Sequence, residues 1–226
     1  MKAPPPAYVG YRTGTLTLAR RCVVSDRRRK TRTPTTASDS TMASDNILRL
    51  LMMYFVLPVW LAAGFADYLC HRAAHIERTS GWRESVLHLV QFAEMALPIL
   101  AALFLEINTG IILLMIVCLV LHQATAMWDV SFAASRREVK PIEQHVHSVL
   151  EMMPLTGLLM VIALHWQAFI ALFGLAPASF GLALKPEPLP WLYVAAMMGL
   201  TLLFEVVPFL EELVRGLRYA GANRRP

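Results

Sequence analysis

TGIILLMIVCLVLHQATAMW, residues 109–128, contains no Asp, Glu, Lys or Arg. A helix rises 1.5 Å per residue, so about 20 apolar residues cross the roughly 30 Å hydrocarbon core of a bilayer. Four further blocks read the same way: Ile47–Leu69, Val86–Leu105, Ser148–Phe173 and Pro190–Leu210. The chain has 226 residues, 56% hydrophobic and 16% charged, which is too apolar for one soluble domain. Between the blocks there is no period-2 alternation and no Asn-Gly turn, which argues against a barrel. The sequence therefore predicts an all-α, polytopic transmembrane bundle of about five spanning helices, occupying residues 42–212.

Positive charge divides the rest of the chain. Residues 1–41 carry nine Lys/Arg and two Asp, net +7, leaving a net of −2 for the remainder. The APPPA and SDRRRKTRTPTTASDST stretches cannot form a packed core, and the tail reads as disordered. Its Arg-rich, acid-poor make-up resembles an organelle transit peptide, unless Met42 is the true start and the tail is upstream sequence. Such a basic cluster also suits anionic lipid or nucleic acid. With the tail set aside, no nucleic-acid partner is expected. Along the loops, Lys/Arg alternate: Arg72, Arg78 and Arg83, then none, then Arg136, Arg137 and Lys140, then Lys185, then Arg215, Arg218, Arg224 and Arg225. The positive-inside rule then puts the N-terminus outside and the C-terminus inside, with residues 213–226 as a basic tail. The expected location is a bacterial inner membrane, or an organelle membrane if the tail is a transit peptide.

Six of seven His fall at the inner helix ends: His71, His75, His88, His122, His145 and His147. Asp67, Glu94, Asp129, Glu143 and Glu151 accompany them. Glu94 and His122 lie at matched depth, about 9–12 Å from the expected inner ends. Each would be costly alone in lipid and they can compensate one another. Residues four apart share a helix face. Asp67-x3-His71-x3-His75 and Glu143-x3-His147-x3-Glu151 are thus two chelating stripes, the second opened by Pro141. His122 and Asp129, seven apart, also share a face. His88 is six residues from Glu94, about 120° away around the axis; Glu94 is kept and His88 set aside. The expected ligands are Asp67, His71, His75, Glu94, His122, Asp129, Glu143, His145, His147 and Glu151. They exceed the needs of one tetrahedral zinc and suit two ions, iron first and zinc or manganese next. Metal would be lost on acidification, because protonated His cannot ligate.

HRAAH, residues 71–75, resembles the first H-x3-H box of the membrane-bound desaturase and hydroxylase family. That resemblance spans roughly residues 67–151 and carries over only His71 and His75; the family's H-x2-3-H-H boxes are replaced by His145-Val-His147. It implies two irons on the cytosolic side, oxygen activation, a lipid or alkyl substrate and an outside electron donor. No flavin or Rossmann fingerprint is present to supply electrons within the chain.

Blander readings stand beside these. A lone His at a helix end is more often interfacial than ligating. Trp82, Trp128, Trp166 and Trp191 read as belt anchors, and the Met pairs as filler. Cys22, Cys70 and Cys118 form no framework. Glu205, Glu211 and Glu212 read as closing the last helix at the surface, and His165 is left out. Competing functions are a zinc-dependent lipid hydrolase, a haem protein ligated by residues such as His71 and His122, a metal carrier, or an assembly partner. The sequence is silent on oligomeric state.

Overall fold

The structure is a computed structural model and describes residues 37–223. The reading of residues 1–41 as a tail lies, as far as residue 36, outside the described residues. From there the chain is helical: α1 (Ala37–Leu51), a π-helical turn (Met52–Val56), α2 (Leu57–Ala74), α3 (Trp82–Phe104), α4 (Thr109–Ala134), α5 (Pro141–Leu164), the short α6 (Trp166–Ile170), α7 (Trp191–Thr201), a second π-turn (Leu202–Val206) and α8 (Val207–Ala222). α1 and α2 form one continuous span, as do α7 and α8, so among the described residues five helices are long and apolar enough to cross a membrane. The all-α bundle expected from the sequence is what is seen.

Four of the spans are longer than hydropathy marks them and the fourth is displaced, and the local causes are visible. The first runs over Ser40–Ala74, 35 residues, or about 52 Å. It overshoots the apolar core and starts within the stretch read as tail. It stops at His75, whose left-handed φ of 51° closes α2. Pro141 occupies the first turn of α5, and extended Lys140 precedes it, so the fourth span begins seven residues before the expected Ser148. It ends at His165 (φ −124°, ψ 43°) rather than continuing to Phe173. α8 continues to Ala222, through most of the expected C-terminal tail.

α3 packs mainly on α4, α2 on α5, and α8 against both α3 and α2. The spans alternate in direction. One end of the bundle therefore gathers the end of α2, the start of α3, the end of α4, the start of α5 and the end of α8. At the other end a small apolar core of Ala101, Ile111, Met115 and Val161 is buried. Residues 174–190 fold over that end. Asn108 Nδ2 donates to the Gly181 carbonyl (2.6 Å) and the Lys185 N–H to the Phe104 carbonyl (3.0 Å). Leu113, Val117, Val120 and Leu121 face outward, as lipid-contacting side chains do.

α8 seats on α3 through a missing side chain. A Cβ on Gly216 would come within 2.9 Å of the Trp82 backbone, which cannot yield as a flexible side chain would. Gly216→Ala is expected to destabilise the protein by about 1–3 kcal/mol. Gly221→Ala, where a Cβ meets nothing within 4 Å, should be near neutral. Thermal unfolding of both variants in detergent checks the contrast.

Candidate metal centre

Three helices bring the same pair of residue types to the shared end: Asp67 and His71 from α2, Glu84 and His88 from α3, Glu143 and His147 from α5. In each, acid and imidazole are four residues apart and share a face. α4 adds Asp129 and α8 adds Glu212. The five acids are each no more than 4% exposed, and His71 is wholly buried.

Glu84 and Glu143 both lie in the first turn of their helices, where the helix dipole favours a carboxylate. Arg137, from the loop between α4 and α5, holds the two together. It donates to Glu84 Oε1 at 2.6 Å and to Glu143 Oε2 at 2.9 Å, with a further short bond to Glu143 Oε1. Burial pulls the guanidinium toward neutrality, but the Glu143 and Glu84 carboxylates outweigh it and keep Arg137 charged.

His71 and His88 stack flat, ring centroids 4.4 Å apart and 6° from parallel. Glu212 spans them, with Oε2 3.2 Å from His71 Nδ1 and Oε1 3.1 Å from His88 Nδ1. An ionised carboxylate has no proton to give, so both Nδ1 atoms must carry the hydrogen and donate it. In the neutral rings each Nε2 is then left with a bare lone pair, the tautomer that ligates metals.

Carboxylate oxygens crowd these Nε2 atoms. His71 Nε2 lies 3.5 Å from Asp67 Oδ1, 3.5 Å from Glu143 Oε1 and 3.9 Å from Glu84 Oε1. His88 Nε2 is 3.1 Å from Asp129 Oδ2, and His147 Nε2 is 2.9 Å from Asp67 Oδ1. Yet His71 Nε2, His88 Nε2 and Asp67 Oδ1 are buried without a hydrogen bond; the close approaches are out of line for a ring N–H. Donors about 2.1 Å from one ion sit roughly 3.0–3.4 Å from each other; the distances here run from 2.9 to 3.9 Å and bracket that range. Among the described residues, two overlapping groups have all donor atoms within 4.8 Å of one another: Asp67, His71 and His147, and His71, Glu84 and His88. His71 belongs to both, and its single Nε2 lone pair can serve only one ion at a time.

The charge needs compensation as well. Five buried carboxylates and one guanidinium leave four negative charges, which two divalent cations or protons on the imidazoles must balance.

Other expected ligands lie elsewhere. His75 caps α2 and is exposed beside Glu77 (3.4 Å); His145 is exposed and Glu151 half-buried, and neither belongs to a donor group. Glu94 and His122 do face one another, Oε2 to Nδ1 3.9 Å, and Thr125 donates to Glu94 at 2.8 Å. Each is twelve residues from its helix end, about 18 Å, so the depths match but are greater than expected. Gln91, which donates to Asp129 at 3.1 Å, lies between the two groups along α3.

His88, set aside on its angle to Glu94, sits at the centre; its partner in sequence is Glu84. Glu205 and Glu212, expected at the surface, are 8% and 1% exposed. The signal for them was the spacing of seven, continued by Gly216, which together mark one buried face of the last span. Haem ligation by His71 does not fit, because three carboxylate oxygens lie within 3.9 Å of its Nε2.

A 540 Å³ cavity opens beside the cluster. Asp67, His88, Gln91, His122, Thr201 and Glu205 supply its polar residues, and the remaining walls are mostly apolar, Leu61 and Phe92 among them. Glu205 Oε1 is buried without a hydrogen bond. A Cβ on Gly64 would fall on that carboxylate, so the glycine makes its room.

Comparison with protein families, curated proteins and solved structures finds no match.

Glu212→Gln keeps the shape but can accept from only one ring on its oxygen side. Metal affinity is expected to fall about 10–100-fold, read by competition with a chromogenic chelator.

Proposed function

We propose that this chain is a membrane metalloprotein that holds two metal ions among α2, α3, α4, α5 and α8 and oxidises an alkyl substrate lying in the adjoining cavity. The supporting observation is the set of buried Nε2 and carboxylate oxygen atoms within 4.8 Å of one another, unbonded to one another, beside a largely apolar chamber. Carboxylate–imidazole donor sets from facing helices suit iron or manganese pairs. Iron, when bound, would supply oxygen activation, with electrons from an outside donor.

The protein's own residues would have separate tasks. Glu212 orients the two stacked imidazoles. Arg137 fixes Glu84 and Glu143. The walls of the cavity exclude water from the alkyl chain. By the loop-charge rule the metal end faces the cytosol, where a soluble donor could reach it.

Elemental analysis of the detergent-purified full chain tests this. About two irons per chain supports the reading, and oxygen-dependent oxidation of an added alkyl substrate completes it. A folded protein without stoichiometric metal overturns it. A second reading, zinc-dependent hydrolysis, is favoured by one feature: Asp67, His71 and His147 alone make a three-donor set that leaves a position for water. One zinc per chain would select it.

A further inference from the structure

At the opposite end of the bundle a second cavity, of 170 Å³, is lined by Arg49, His165 and Lys185 together with Met52, Met153 and Tyr193. Leu57, Trp60, Met95, Ile99 and Leu103 line both cavities. The two therefore abut, and together reach from Arg49 to Asp67. Those residues are eighteen apart on one continuous helix, about 27 Å along its axis.

Three basic side chains at an apolar cavity are unusual without acids to match. Lys185 Nζ donates to the Ala102 carbonyl. Arg49 and His165 have no ion pair among the described residues, and Asp45 is the acid that bears on His165. Burial and then the charges of Arg49 and Lys185 hold His165 below its ordinary pKa, with Asp45 opposing. Burial and then Arg49 do the same to Lys185. An anion placed among the three would relieve that repulsion.

We propose that Arg49, His165 and Lys185 bind the carboxylate of a single-chain fatty acid whose alkyl tail runs through the two cavities toward Asp67 and His88. Charge complementarity selects an anionic head, and the small volume of the first cavity, 170 Å³, selects one chain over two. The flexible Met52, Met53 and Met153 side chains suit a linear alkyl guest. Head and reacting end are then held at opposite faces of the bundle, so chain length decides what reaches the metal end. This last point rests on the alkyl-oxidation reading; the anion site itself does not.

Trp60, in both cavities, is the built-in reporter. Brominated stearate is titrated into the full-length protein in detergent, and Trp60 quenching is taken as the difference between the parent and Trp60→Phe. Unlabelled stearate is expected to displace the probe, and stearyl alcohol to do so roughly tenfold less tightly, for want of charge-assisted bonds. In the Arg49→Gln/Lys185→Gln double variant that preference should vanish while alcohol binding persists, which also shows an intact cavity. Equal competition by acid and alcohol in the parent would overturn the proposal. So would undiminished stearate binding in the double variant, or a diacyl phospholipid competing as well as stearate. Repeating the titration after chelation separates the readings. Head selectivity that survives in protein never found to hold metal would leave the anion site standing and remove the oxidase.

Discussion

Replacing His71 by alanine is expected to cost the protein most of its bound metal, because neither donor group is then complete, while His75→Ala and His145→Ala leave the metal content unchanged. His71 is the one residue common to both donor groups. It is wholly buried, and its Nε2 faces carboxylates from α2, α3 and α5. Its loss also removes one of the two rings that Glu212 orients. His88→Ala should be milder, because Asp67, His71 and His147 remain as a set. His75 and His145 are exposed and lie outside both donor groups, so their removal leaves the donor atoms in place. Elemental analysis of folded, size-selected protein reads all four variants. Full metal retention in His71→Ala would sink the centre, as would equal loss in His75→Ala.

The largest effect on stability is expected at Arg137. Its side chain is 4% exposed and meets Glu84 and Glu143, each 1% exposed. Arg137→Met keeps much of the volume and removes the charge, leaving two buried carboxylates against one another. Breaking a buried pair in this way costs about 3–5 kcal/mol. Arg137→Lys should recover part of the loss, since one ammonium cannot make the same forked contacts to both acids. Bound metal would restore some stability by mass action, so the deficit should be greatest after chelation. Unfolding of metal-free Arg137→Met within about 1 kcal/mol of the parent would show that the clamp contributes little.

The five spans were legible because lipid-facing helices need no amphipathic pattern, only an unbroken apolar run. The helix ends that meet at the cluster were not. Pro141–His147 and Trp82–His88 are polar in composition yet turn acids and imidazoles toward one another, which hydropathy scores as loop. Four-residue spacing revealed Asp67 with His71 and Glu143 with His147. The same spacing joins Glu84 to His88, but measuring His88 against Glu94 hid it. Extending the stripes another four residues failed at both ends. At His75 the helix has already stopped in a left-handed cap, and Glu151 lies outside the donor groups. His145 is two residues from His147 and so on a different face. Arg137 could not be found by periodicity, because a loop places it. Glu212 sits between Glu211 and Arg215 in sequence, where any helix end would be charged, and only its seven-residue relation to Glu205 separates it from them.

The two π-turns give the first and last spans a property that substitutions would not expose. A π-turn accommodates one residue more than an α-helix of the same length. Each of these spans is therefore two helices in different rotational phase, joined at Met52–Val56 and at Leu202–Val206. Without the wide turn, one extra residue would swing everything beyond it by about 100°. In the last span that would carry Glu212 and Gly216 off α3 together. The position of the extra residue, rather than its identity, keeps both halves of the span in register with their neighbours. Deleting Leu203 should thus be gentler than inserting an alanine after Val207, which has no turn to absorb it.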